Sequence, residues 1–170
     1  MSLLGWRQWV VDSDGLLRPA WTPWSPFPAG LLLWPPDGMA EAHCLRAEPS
    51  PGRSSGRSSG RLSVSKDRPA AGRQPDGGHE HVPDERCVCG LYAWRTPALL
   101  RSARPPRWTS LPCVVGVVRL GGRTIVAERG YRAQRGFPVA VLDPHGVVSP
   151  RYTVARYRHW DALVAEWHEP

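Results

Sequence analysis

The chain has one lysine, one isoleucine and no asparagine among 170 residues, against 21 arginines. Residue types with AT-rich codons are scarce while Arg, Ala, Gly, Pro and Trp abound, which points to GC-rich coding DNA. Part of the arginine excess is then mutational, so a formal net charge of +7 does not by itself establish a polyanionic partner. Long apolar runs are also missing. Leu31-Leu32-Leu33-Trp34 falls far short of the roughly 20 residues that span a bilayer, so no membrane partner is expected. No charged-then-apolar leader follows Met1, and the four cysteines lack the paired spacing of a secreted disulfide framework. A soluble cytoplasmic protein is expected.

Catalytic signatures are absent as well. The chain has no His-Glu-x-x-His, no phosphate loop and no Gly-x-Ser-x-Gly. A zinc deaminase needs His-x-Glu and a later Pro-Cys-x-x-Cys, and neither His79-Glu80-His81 nor Cys87-Val88-Cys89 has that spacing. His145, within Asp143-Pro144-His145-Gly146, reads as a turn residue rather than a base. The expectation is that the protein is not an enzyme.

The most informative feature present is Arg86-Cys87-Val88-Cys89-Gly90-Leu91-Tyr92-Ala93, preceded by His79 and His81 and more distantly by Cys44. In an extended segment residues i and i+2 point to one side. Cys87 and Cys89 can then meet one ion if Gly90 turns the chain away immediately afterwards. With Cys44 and one histidine, His79 or else His81, they make a four-ligand set for zinc, and a site filled by protein ligands is structural. Two alternatives stand beside it: two buried small hydrophobes with His79 and His81 on a solvated loop, and a redox pair. The single intervening residue would strain a Cys87–Cys89 disulfide and departs from the two-residue gap of thioredoxin-type sites. Cys113, next to Val114-Val115, reads as a core residue.

Pro49 to Gly78 contains Gly52-Arg53-Ser54-Ser55-Gly56-Arg57-Ser58-Ser59-Gly60-Arg61 and almost no large apolar residue, so it is expected to be a disordered basic insertion. Residues 1–48 are then an N-terminal β segment of the domain, and 79–170 a zinc-stapled β-rich body with a C-terminal helix. Closing the loop between Cys44 and His79 costs about 3 kcal/mol, against about 10 to 16 kcal/mol apparent for a structural zinc. The insertion does not forbid the site.

The basic charge is concentrated. Between Arg95 and Arg135 there are nine arginines and one acid, Glu128. Such a stretch can form a face that attracts polyanions, with Arg119, Arg123 and Arg132 as candidate nucleic-acid contacts. Glu128 and Arg132 share a face whether the segment is helical or extended. They are expected to pair, or Glu128 to orient Arg132 and Tyr131 toward a base or phosphate.

Alternation and turn chemistry predict mostly β structure of the α+β class. Trp6 to Val11, the turn Asp12-Ser13-Asp14-Gly15 and Leu16-Leu17 read as a hairpin. Five tryptophans in the first 34 residues are read as packing. Thr96-Pro97 opens a short helix that Pro105-Pro106 ends. Val114 to Leu120 is a strand, Gly121-Gly122 its tight hairpin turn, and Arg123 to Glu128 the return. Pro138 to Leu142 is another strand, Asp143 to Gly146 a turn and Val147-Val148 a continuation. Tyr157, Trp160, Leu163, Val164 and Trp167 recur at helical spacing, giving a C-terminal amphipathic helix.

The order His (His79 or His81), Cys-x-Cys-Gly-Leu-Tyr-Ala, then Val-Val-Gly-Val-Val-Arg-Leu-Gly-Gly-Arg, then Glu128-Arg129-Gly130-Tyr131-Arg132-Ala133 resembles small uncharacterised proteins of actinobacteria and their phages. The likeness covers about residues 79 to 137, with a weaker echo at Trp9, Gly15, Trp34 and Cys44, and it implies no activity. By analogy, a small mixed barrel of the pseudouridine-synthase-associated (PUA-like) kind suits the strand content. The expected function is a small zinc-stapled module binding DNA or RNA through the arginine-rich face. A protein-interaction or accessory factor is the alternative.

Overall fold

The computed structural model describes residues 3–21, 27–28, 30–45 and 81–168. The expected insertion at 49–78 and the candidate ligand His79 lie outside the described residues. The described chain is mostly β with two short helices, as its patterning predicts.

β1 (Leu3–Val11) is buried from Gly5 to Val11. Successive side chains point to opposite faces, so burial of both requires two cores, and there are two. Trp9 and Val11 join Leu17, Trp34, Val114, Val118, Leu120 and Tyr152 on one face. Trp6 joins Leu100, Val117, Ala140 and Leu163 on the other. Trp9 meets Trp34 edge-on, with centroids 5.4 Å apart and planes at 82°, the geometry that ring quadrupoles favour. Trp6, Trp9 and Trp34 are thus packing residues, as expected; Trp21 is exposed.

The predicted N-terminal hairpin forms, with β2 (Leu17–Pro19) antiparallel to the end of β1. Asp12 builds its turn: Oδ1 accepts from the Asp14 and Leu16 amides at 3.0 and 2.9 Å, and Oδ2 from Arg18 Nε at 3.0 Å. The long hairpin of β5 (Cys113–Val126) and β6 (Gly130–Leu142) is the backbone of the fold. β5 also pairs with β1 from Leu3↔Leu120 to Val10↔Cys113. β4 (Leu91–Trp94) pairs with β6 and touches β1 through Trp6↔Trp94. The hydrogen bonds therefore run in a ring, β1 to β5 to β6 to β4 and back. The small mixed barrel expected from strand content is thus present as a ring of hydrogen bonds, made irregular by a four-residue strand that closes it on a single register pair. β3 (Ala40–Glu41) adds to β6 at Gly136 and Arg135. β7 (Ala155–Tyr157) runs parallel to β6, which makes the sheet mixed.

Helix α1 (Pro97–Arg101) begins where Thr96-Pro97 predicts, with Thr96 Oγ1 accepting from the Leu99 amide at 3.3 Å. It ends before Pro105-Pro106. α2 (Trp160–Trp167) buries Leu163 against the second core. Tyr157, expected in this helix, belongs to β7 and accepts from Trp167 Nε1 at 2.9 Å. No helix among the described residues is long and apolar enough to cross a membrane.

Three local expectations are corrected. Gly121-Gly122 is not a hairpin turn: β5 continues through it, and the chain reverses at Ala127 to Arg129, where Ala127 N donates to Gly130 O at 2.8 Å. Between Gly121↔Arg135 and Thr124↔Ala133 the strand carries one extra residue, a bulge with Gly122 at φ +69°, a left-handed conformation that costs glycine little. Val147-Val148 does not continue a strand. Their amides donate to the Asp143 carboxylate at 2.8 and 3.1 Å, so a buried acid takes the bonds a ladder would have used. Cys113 is exposed at the start of β5, not in the core.

Candidate metal centre

The loop ahead of β4 is a set of tight turns. The Asp84 carboxylate accepts from the Arg86 amide at 2.7 Å, and the Cys87 amide donates to Asp84 O at 3.2 Å. Cys87 and Cys89 are buried while Val88 between them is 61 % exposed, so the two thiols point to one side, as alternation predicts. Gly90 then turns the chain into β4 at φ +126°, passing between Pro83 and Arg132, whose Cβ atoms lie 3.1 and 3.2 Å from where its own Cβ would be. The left-handed backbone and the tight passage together make any other residue strained there.

Cys44 arrives from the other side. It follows β3, which is held to β6 by Ala40↔Gly136 and Glu41↔Arg135, and Ala42 N donates to Gln134 O at 2.8 Å. The pairing carries Cys44 to the loop: the thiol sulfurs of Cys44, Cys87 and Cys89 all lie within 4.8 Å of one another. Cys44 Sγ and Cys87 Sγ are 3.7 Å apart. A disulfide needs about 2.05 Å, whereas two sulfurs bound tetrahedrally to one zinc at about 2.3 Å lie about 3.8 Å from each other. The spacing fits a shared ion. Soft sulfur donors suit zinc, and three of them leave one tetrahedral position for a further ligand. Among the described residues the cluster has these three members; His81 is exposed and outside it.

Electrostatics around the thiols are consistent with a site that needs a cation. The Cys89 thiol is pushed up from its ordinary pKa, first by burial and then by Cys87 and Cys44, against one lowering contact from the Asp84 amide, which donates to Cys89 Sγ at 3.4 Å. Without a metal the Cys89 thiol therefore holds its proton more tightly, and a divalent cation that binds the sulfur displaces it.

Arg132, expected to contact nucleic acid or pair with Glu128, is placed elsewhere. Its Nη1 donates to the carbonyls of Asp84, Cys87 and Cys89, the first and last at 3.2 Å. One charged donor therefore gathers three carbonyls of the cysteine loop. The ion pairs among the described residues join Arg18 to Asp12, Arg135 to Glu41 and Arg156 to Asp143, so Glu128 and Arg132 are not partners. Arg119 and Arg123 are exposed on β5, on either side of Gly121-Gly122. His145 is exposed in the turn after β6, as its sequence setting predicts.

The cysteine loop also lines a cavity of about 1030 Å³, together with Arg7, Trp34 and Leu31 to Leu33. Arg7 has no counterpart among the sequence-based candidates. It is only 8 % exposed, and its guanidinium lies 4.7 Å from the centroid of the Trp34 ring, with Nη1 donating to Tyr92 O. Its signal is the lone charge in Leu-Gly-Trp-Arg-Gln-Trp-Val-Val, a strand otherwise suited to burial.

Comparison of the chain with protein-family models, with curated proteins and with solved structures finds no match in any of the three.

Proposed function

We propose that the protein is a small zinc-stapled β module that binds nucleic acid through its arginine-rich stretch, and that it is not an enzyme. The observation that carries the binding role is exposure: of the nine arginines from Arg95 to Arg135, all but Arg132 are exposed, with Glu128 the sole acid among them. Arg135 is paired with Glu41 at 3.2 Å; the other seven exposed guanidinium groups have no ion pair among the described residues, and such groups release phosphate counterions when they meet a polyanion. The zinc role rests on the three clustered thiols, with His79 as the fourth ligand. In that role the ion holds β3 and the β4 loop together, and substrate needs no open position on it.

The test is a titration of labelled single- and double-stranded DNA and RNA at several salt concentrations. Affinity is expected to fall steeply with salt. Reversing Arg119 and Arg123 to Glu should weaken binding to every sequence alike and lower the logarithmic salt slope by about 2. Absence of binding to all four nucleic acids at low salt would overturn this reading.

A protein-interaction role is the second reading. Trp21, Val88 and Tyr92 are 46 %, 61 % and 47 % exposed and all border the same cavity. Contiguous exposed apolar surface is a feature of partner sites.

A further inference from the structure

We infer that the cavity between the cysteine loop and Trp34 is a binding site for a small oxyanion, a carboxylate or phosphate, carried on an apolar ring, with Arg7 as the anion-binding group. Arg119 and Arg123, which the nucleic-acid reading reverses as its test, do not line this cavity, whereas Arg104 and Arg129 of the same stretch do.

A buried charge without a counter-charge calls for an explanation, because burial of an unpaired ion is strongly unfavourable. Arg7 has no carboxylate partner among the described residues. Burial pushes its pKa down to about 10, which still leaves it a cation at neutral pH. Its Nη1 is engaged with Tyr92 O, while its Nε is buried with no hydrogen-bond partner. Trp9 Nε1 is the other buried side-chain nitrogen without a partner among the described residues. Both residues pack on the same Trp34 ring. Of the two, Arg7 lines the cavity, whereas Trp9 lies in the core behind it.

The surroundings define what would satisfy Arg7. The cavity is also lined by Arg86, Arg104, Arg129 and Arg132, and its acids are Glu85 and Glu41, the latter paired with Arg135 at 3.2 Å. The balance favours an anion. Trp94, Tyr92, Tyr131 and Leu31 to Leu33 supply flat and aliphatic walls, and the volume is at the upper end of small-molecule pockets, about 300 to 1,000 Å³. A guanidinium fixed against an aromatic face is preorganised for a planar or tetrahedral oxyanion. The ligand's ring then occupies the apolar part, and its oxygen atoms meet Arg7 where little water competes.

The test uses the intact protein and three probes that share a ring: benzoate, phenyl phosphate and uncharged benzyl alcohol. Binding is followed by tryptophan fluorescence and by chemical-shift perturbation. Saturable binding of benzoate or phenyl phosphate, at least tenfold tighter than benzyl alcohol, is expected, and the tighter of the two identifies the oxyanion. Arg7→Met should abolish that preference while leaving the melting temperature equal to or above that of the parent, since it removes an uncompensated buried charge. A melting temperature well below the parent's, with benzoate and phenyl phosphate binding no more tightly than benzyl alcohol, would make Arg7 a structural residue and overturn the proposal. Should Arg7→Met fail to fold, the three-probe comparison on the parent decides alone: no preference for the charged probes refutes the site. Retained nucleic-acid binding by a folded Arg7→Met variant would separate this site from the arginine-rich stretch.

Discussion

Replacing Arg132 by Met should loosen the metal centre without touching a ligand. The guanidinium Nη1 reaches the carbonyls of Asp84, Cys87 and Cys89. One nitrogen carries two hydrogens, so these three contacts amount to at most two full bonds. A hydrogen bond from a charged donor contributes about 1.5 to 3 kcal/mol net. Arg132 is only partly buried, so water recovers some of the loss, and about 2 to 3 kcal/mol is expected in all. The methionine retains the apolar stem and isolates the polar effect. If the loss falls on loop preorganisation, the zinc dissociation constant rises about 30- to 140-fold at 1.4 kcal/mol per decade, at the upper end of the roughly 10- to 100-fold that outer-shell partners of metal ligands command. Competition against a chromogenic chelator measures it, and the thiolate-to-cobalt absorption of the cobalt(II)-loaded protein reports whether the same sulfurs still bind. Arg119→Met is the control and should leave the constant unchanged. A folded Arg132→Met variant with zinc affinity within threefold of the parent would refute the reasoning.

Protein purified without chelator should hold about one equivalent of zinc by elemental analysis, and Cys87→Ser should lower both zinc content and melting temperature; well under one equivalent in the parent would remove the staple. The pH dependence should reverse with loading. In the metal-free protein the raised Cys89 pKa means that the folded state holds this proton more tightly than the unfolded chain, so that stability is present below the ordinary thiol pKa of about 8.5 and declines as pH rises through the raised value. The loaded protein instead loses stability as pH falls and protons displace zinc, and melting curves at several pH values with and without zinc read both slopes. Tyr152→Phe tests the core: its hydroxyl accepts from the Leu17 amide at 2.8 Å and donates to Trp34 O, both in buried surroundings. Orphaning the two groups should cost about 2 to 4 kcal/mol, and a loss below about 1 kcal/mol in denaturant unfolding would contradict it.

Local chemistry is legible in the chain itself. The Asp12 to Gly15 turn, the Thr96 cap with Pro97 at the first helical turn, the strand at Val114 to Leu120 and the shared side of Cys87 and Cys89 all rest on properties of a few adjacent residues: backbone preferences, a side chain's reach to its own amides, and the two-residue repeat of an extended chain. Gly90 belongs with them, since a cysteine pair on one side followed by a sharp turn leaves little else for that position.

Only the tertiary structure decided the rest, because those features depend on which strands meet. Gly121-Gly122 has the composition of a hairpin turn, but β6 goes on pairing with β5 beyond it as far as Val126↔Tyr131, and the glycines become a bulge within the longer strand. Cys44 reaches the other thiols only because β3 lies against β6 at Gly136 and Arg135. Arg132 is one of nine arginines in its stretch by composition, and its register opposite Tyr92 on β4 turns it toward the cysteine loop. The setting of Arg7 comes only with β1 gaining a core on each face and Trp34 packing against its guanidinium. Short-range preferences are set by the covalent chain within a few residues. Partners far apart in sequence are chosen by the burial and hydrogen bonds summed over the whole ring, and that sum exists only once the ring has closed.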